Sequence, residues 1–138
     1  MNYLVTGGTG LIGSRIVRDL VSLGQSVVVY DWNPNKRFLE SVIREKEIDK
    51  MVKIVKGDVT DLPLLLRTIK TFTVEKIIHT ASLLTLETNS DPILGLKVNC
   101  EGTLSVFEAA KISGVKKVVF ASSNSVFGPP TKYSGQYI

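Results

Sequence analysis

The glycine-rich segment near the start of the sequence has the spacing that points most clearly to chemistry. Its glycines satisfy two overlapping patterns, G-x-G-x-x-G and G-x-x-G-x-x-G. In such a segment one glycine makes a tight turn, one lets the backbone approach a pyrophosphate, and one lets a helix pack closely on a strand. The helix N-terminus then faces the anion. We predict a dinucleotide-binding turn, with an ordinary glycine-rich turn as the alternative. Its predicted contact residues are Gly7, Gly10, Leu11, Ile12 and Gly13.

An acidic residue further along the chain is the second feature of a dinucleotide-binding site. Asp31 ends an apolar run and lies 18 residues after Gly13. A carboxylate there accepts both hydroxyls of an adenosine ribose and repels a 2′-phosphate, which favours NAD over NADP as the cofactor. Lys36 and Arg37 follow closely and would partly restore NADP binding. Asn35, in the same loop, is predicted to donate to ribose or phosphate, with a plain turn residue as the alternative.

Short β-rich runs alternate with helical patterns along the chain. The strands and helices that they predict must position the glycine-rich turn and the Asp31 carboxylate. We predict strands at 3–6, 26–31, 52–56, 76–80 and 116–121, and helices at 11–23, 38–43, 62–72 and 91–113. This alternation is typical of an α/β fold with a parallel sheet. Five strands and four helices are therefore expected.

Composition and charge exclude several classes of protein. The 138 residues are 43% hydrophobic and 22% charged, so the chain is expected to form one domain with a core. No apolar run approaches the roughly 18 residues of a membrane span, and no basic region opens a signal peptide. The 17 basic residues are dispersed, which predicts no nucleic-acid partner. The single cysteine, Cys100, excludes an internal disulfide, disfavours a cysteine-based metal site and favours a cytoplasmic location.

Five ordered segments carry a family resemblance. They read VTGGTGLIG from Val5, GDVTD from Gly57, IHTAS from Ile78, NCEGT from Asn99 and VFASSNSVFG from Val119. With these segments the chain resembles the extended short-chain dehydrogenase/reductases, which include the NAD-dependent nucleotide-sugar epimerases and dehydratases. The resemblance implies a Rossmann-type, doubly wound parallel sheet in the order 3-2-1-4-5, with helices on both faces, and hydride transfer at a bound nicotinamide.

The resemblance also implies roles for particular cofactor-binding residues. Asp58 corresponds to a residue that contacts the adenine, with Val59 packed beside it, and turn capping is the alternative for Asp58. Thr80, Ala81 and Ser82 correspond to a segment that passes under the cofactor's ribose and pyrophosphate, where small side chains permit close approach.

The remaining roles concern the catalytic side of the site. Asn99 corresponds to a helix asparagine that holds the site's backbone. Ser123 corresponds to the catalytic serine that hydrogen-bonds the substrate. It begins an S-x-x-x-Y-G pattern in which Phe127 replaces the tyrosine. The neighbouring Ser122 is expected to contact the cofactor. The alternative for both serines is satisfaction of loop backbone. His79 is interpreted as a packed, hydrogen-bonded core residue.

The proton chemistry of that family requires a Tyr-x-x-x-Lys pair, in which lysine lowers the pKa of the tyrosine base. Neither Tyr133 nor Tyr137 is followed by lysine at the fourth position. The expectation is a cofactor-binding half of a longer fold, truncated before the catalytic helix and substrate domain and inactive alone. Residues 1–128 are expected to form the NAD-binding domain and residues 129–138 an irregular tail.

Two expectations about partners follow. A nucleotide sugar would be bound as substrate only if another chain completed the site, and an exposed sheet edge predicts self-association. The alternative function is a non-enzymatic dinucleotide sensor or interaction module, which the missing catalytic pair fits equally well.

Overall fold

A parallel sheet of five strands organises the computed structural model, which describes residues 2–123. The strands are β1 (Asn2–Thr6), β2 (Ser26–Asp31), β3 (Val52–Lys56), β4 (Lys76–His79) and β5 (Lys117–Phe120). Their order is β3-β2-β1-β4-β5, and all neighbouring strands are parallel. The predicted fold class and strand order are therefore confirmed. The predicted tail, 129–138, lies outside the described residues.

The helices cover both faces of this sheet. They are α1 (Leu11–Ser22), α2 (Arg37–Val42), α3 (Glu45–Met51), α4 (Leu62–Thr71), α5 (Thr85–Ser90), α6 (Pro92–Leu96) and α7 (Gly102–Ile112). A π-helical segment, Lys97–Glu101, joins α6 to α7.

The expected number of four helices was wrong, for an identifiable reason. Helix α3 buries Ile48 alone, and α5 buries no residue, so neither shows the apolar periodicity from which a helix is predicted. The predicted helix from Asp91 does exist, but the π-helical segment interrupts its α-helical hydrogen bonding.

Successive side chains of each strand point to opposite faces of the sheet, and this divides the core into two layers. Leu4 and Val28 face one cluster, which α4 and α7 cover with residues such as Leu65 and Val106. Val5 faces the opposite cluster, which α1, α2 and α3 cover. Because successive side chains of a strand point to opposite faces, apolar strands buried on both sides require helices on both sides.

The topology brings three chain segments to one edge of the sheet. The chain leaves β1 at Thr6 into the glycine turn, leaves β2 at Asp31, and leaves β4 at His79. Strand β1 lies between β2 and β4. The carboxyl ends of these parallel strands therefore meet, at the switch point where open α/β sheets bind ligands.

Candidate dinucleotide-binding site

A cleft of about 550 Å³ opens at this edge of the sheet. Its volume is in the range of small-molecule and cofactor sites. Nine of the predicted site residues line it, namely Gly7, Gly10, Asp31, Asn35, Asp58, Val59, Thr80, Ala81 and Ser82. Sequence reasoning assigned a role to only one of the other lining residues, Arg37, toward NADP. These residues are Thr9, Tyr30, Trp32, Asn33, Arg37, Phe38, Gly57, Leu83, Leu94 and Val98.

The glycine turn has the tight geometry that its spacing predicts. Gly7 has a φ of +66°, and its carbonyl accepts a hydrogen bond from the Gly10 N–H at 3.0 Å. A Cβ on Gly13 would lie 2.2 Å from the Gly7 carbonyl oxygen, so only glycine lets α1 begin this close to the turn. Gly10 is the N-cap of α1 and supplies no capping side chain. The first N–H groups of α1 thus have no side-chain partner from the N-cap residue, as anion binding requires.

Three predicted turn residues lie outside the cleft lining. The side chains of Leu11 and Ile12 are 54% and 64% exposed, and Gly13 packs against the turn itself. These residues contribute to the site through the backbone at the start of α1 and not through their side chains.

The Asp31 carboxylate is held by the glycine turn. Oδ2 accepts from the Thr9 N–H at 3.1 Å and from the Thr9 hydroxyl at 2.6 Å, while Oδ1 accepts from the Asn33 N–H at 3.2 Å. Since a carboxylate offers about four acceptor positions, Oδ1 retains one for a ligand hydroxyl. The hydroxyl at position 9, between two glycines, was the available sequence signal for this contact.

Asn35 and Arg37 form the next part of the wall. The Asn35 side-chain oxygen accepts from the Arg37 N–H at 3.0 Å, so it serves the turn that leads into α2. Its amide nitrogen has no such turn partner, and Arg37 itself lines the same cleft as Asp31. Lys36 does not line the cleft.

Asp58 combines a turn role with a place in the cleft. Its Oδ1 accepts from the N–H and the hydroxyl of Thr60, both at 2.9 Å. The buried Tyr30 hydroxyl donates to the Asp58 carbonyl at 2.8 Å. Burial raises the pKa of Tyr30 well above its usual range, so this donor stays protonated. A Cβ on Gly57 would lie 2.4 Å from the Tyr30 ring, which explains glycine there.

The segment after β4 forms the opposite wall. The Thr80 hydroxyl donates to the Thr6 carbonyl at 2.7 Å. The Asn99 amide clamps the backbone of Leu83, accepting its N–H at 2.8 Å and donating to its carbonyl at 3.0 Å. Asn99 therefore holds backbone of the wall without itself lining the cleft.

The two predicted serines lie apart from this cleft. Ser122 and Ser123 are exposed, just beyond β5, and do not line it. Phe127, Tyr133 and Tyr137 lie outside the described residues. Between residues 2 and 123, the structure has no acidic, histidine or cysteine cluster that would hold a metal ion. No helix in that range is long and apolar enough to cross a membrane.

Comparison with known proteins gives matches along nearly the whole chain. UDP-glucose 4-epimerase from Haemophilus influenzae is 37% identical over 134 residues, which are 94% of this chain and 39% of the relative. The Homo sapiens UDP-glucose 4-epimerase is 36% identical over 92% of this chain and 38% of its own. This chain thus spans about two fifths of the length of these relatives.

Solved structures match similarly. A dTDP-glucose 4,6-dehydratase from Streptomyces venezuelae, with NAD and TYD bound, superposes with a TM-score of 0.83 at 30% identity, over 99% of this chain and 43% of that one. A Thermus thermophilus UDP-glucose 4-epimerase in complex with NAD has a TM-score of 0.73 at 35% identity, over 89% and 38%. The NAD dependent epimerase/dehydratase family matches residues 3–137. The chain therefore belongs to the NAD dependent epimerase/dehydratase family.

Proposed function

We propose that this chain is the NAD-binding portion of an epimerase or dehydratase that acts on a nucleotide sugar. The observation that carries the proposal is the cleft itself, which joins the glycine turn, the Asp31 carboxylate and the segment after β4. NAD-bound relatives with the same fold support it.

The residues of the cleft fit NAD in their chemistry. The start of α1 offers N–H groups to a pyrophosphate. The Oδ1 atom of Asp31 keeps one acceptor position for a ribose hydroxyl. The negative charge of Asp31 opposes a 2′-phosphate. NAD, when bound, supplies hydride chemistry at its nicotinamide, while this chain's residues bind and orient it.

The tyrosine–lysine pair that the family resemblance implies for turnover does not occur within residues 1–138. No tyrosine in this range is followed by lysine at the fourth position. We therefore propose that this chain binds NAD without converting a nucleotide sugar, and that Ser123 would contact the substrate only where another chain completes the site. A dinucleotide sensor in the cytoplasm is the second candidate, since the contacts that the cleft offers are suited to binding. Conversion of a UDP-sugar by the chain with NAD would contradict both.

Asp31→Ala is expected to weaken NAD binding by about 10- to 100-fold, since a charge-assisted hydrogen bond is worth about 1.5–3 kcal/mol. The measurement is calorimetric titration with NAD and, separately, NADP. Quenching of Trp32, the single tryptophan, gives a second readout because its exposed side chain lines the cleft.

Asp49→Ala is the matched control, because it removes the same charge from an exposed position in α3 outside the cleft. NAD affinity should be unchanged in this variant, and discrimination against NADP should fall only in Asp31→Ala. Equal NAD affinity in the two variants would refute the role of Asp31. A folded chain that binds no NAD would refute the proposed function.

We also propose self-association through β5. Among the described residues this strand pairs with β4 alone, and Val119 and Phe120 are 47% and 45% exposed. A strand edge with apolar residues favours pairing with a second copy. Light scattering at several concentrations should show a mass that rises with concentration, and Val119→Lys should reduce it. A constant monomer mass would contradict the proposal.

A further inference from the structure

His79, at the end of β4, is fully buried between two threonines. Its Nδ1 lies 2.6 Å from the Thr6 hydroxyl oxygen and its Nε2 lies 3.0 Å from that of Thr103. The ring stacks on Phe120 with centroids 5.5 Å apart. The prediction of a packed, hydrogen-bonded histidine is thus confirmed. Burial lowers the pKa of His79 to about 4, so the imidazole is neutral near pH 7.

The hydrogen-bond partners determine which ring nitrogen carries the proton. A threonine hydroxyl has one hydrogen, and that of Thr103 is donated to the backbone carbonyl of Asn99 at 2.7 Å. Thr103 must therefore accept at the histidine, which places the proton of His79 on Nε2. Nδ1 is then an acceptor, and the Thr6 hydroxyl donates to it. The four residues form one chain of hydrogen bonds with a single direction.

One end of this hydrogen-bond chain contacts the backbone of Thr80 and Ala81, and the other ends at the backbone carbonyl of Asn99, whose side chain holds Leu83. The Thr6 hydroxyl oxygen has given its hydrogen to the ring, so it accepts from the N–H groups of Thr80 at 3.3 Å and Ala81 at 3.4 Å. The Thr80 N–H is shared with the Thr6 carbonyl. At the other end, Asn99 clamps the backbone of Leu83. Residues 80–83 all line the cleft.

The order of the strands indicates which part of a dinucleotide meets this wall. Asp31 follows β2, the glycine turn follows β1, and residues 80–83 follow β4, in that spatial order. With the adenosine ribose at Asp31 and the pyrophosphate at the turn, the second nucleoside would be held by residues 80–83. The wall touches the turn closely, since a Cβ on Gly7 would lie 2.9 Å from the Ala81 backbone.

We propose that His79 is a positioning residue which, through Thr6 and Thr103, sets residues 80–83 in place for the nicotinamide-bearing half of the dinucleotide. The proposal rests on the proposed function, because it assumes that the cleft binds NAD. His79, Thr6 and Thr103 do not line the cleft and act on the ligand only through that backbone.

Thr103→Val tests this, because it keeps the side-chain shape and removes the hydroxyl, while Thr103→Ser restores it. NAD and AMP are titrated separately, with Trp32 quenching and calorimetry as readouts. We expect Thr103→Val to weaken NAD binding by about 10-fold, as loss of one buried hydrogen-bond partner allows. AMP affinity should change by less than about 2-fold, and Thr103→Ser should bind NAD as the unaltered chain does.

A purely structural role would give a different pattern. Thermal denaturation of each variant would then show a loss of stability with unchanged NAD affinity, or with NAD and AMP weakened alike, and either result would overturn the proposal. If the unaltered chain binds neither ligand, the proposed function and the positioning role of His79 both fail. If it binds both and Thr103→Val changes neither affinity, only the positioning role fails.

The proton position can be measured without any variant. His79 is the one histidine of the chain, so its imidazole nitrogens need no assignment in a long-range ¹H–¹⁵N spectrum. The proposal expects a single neutral form protonated at Nε2 at pH 7. A form protonated at Nδ1, or rapid exchange between the two forms, would overturn it.

Discussion

Replacing Gly13 with alanine is expected to abolish NAD binding and to lower the free energy of unfolding by about 3 kcal/mol or more. The added Cβ would lie 2.2 Å from the Gly7 carbonyl oxygen and 2.7 Å from the Gly8 Cα. Both are backbone atoms that cannot rotate away, so α1 would have to move off the turn. That movement would displace the N–H groups that we propose for the pyrophosphate.

Urea denaturation and NAD titration measure the two effects of this substitution. Gly10→Ala is the matched control for stability, because its Cβ meets only the Gly7 carbonyl oxygen, at 3.2 Å, and its φ of −73° suits alanine. Its expected cost is below about 1 kcal/mol. An unfolding free energy for Gly13→Ala equal to that of the unaltered chain would contradict the close packing of α1 on the turn.

Acid is expected to destabilise the fold through His79 by up to about 3 kcal/mol. Burial holds its pKa near 4 in the folded chain, against 6.5 for an ordinary histidine. Between these two values the unfolded chain binds more protons than the folded one, so stability rises with pH. The contribution is therefore intact above pH 6.5, declines as pH falls below that value, and is lost near pH 4.

Chemical denaturation at several pH values between 7.5 and 4.5 measures this effect. His79→Asn is the control, since it keeps a polar group in the cavity and removes the titrating ring. Carboxylates affect both proteins equally, including Glu75, whose pKa is lowered by a hydrogen bond from Lys116. The unaltered chain should lose more stability than the variant as pH falls. Parallel curves would show that His79 titrates normally in the folded chain.

Local patterns in the sequence were sufficient to predict the scaffold of the site. Short β-rich runs indicated the five strands, apolar residues at a period of 3.6 indicated the main helices, and glycine spacing located the turn at the end of β1. These features depend on neighbouring residues, because φ/ψ limits and the burial of one face act over short stretches of chain. Helices α3 and α5 were missed because they bury almost nothing.

The sequence by itself thus determined the turn and the place of Asp31 at the end of β2, and its resemblance to a known family implied the strand order. Only the tertiary structure showed that Thr9 holds the Asp31 carboxylate and that Thr6 and Thr103 meet on one histidine ring. Thr6 and His79 are 73 residues apart. Contacts of this kind arise when distant strands pair and side chains exclude water between them. Hydrogen-bonding groups buried there must find partners wherever the fold brings them, and no local pattern records which ones they find.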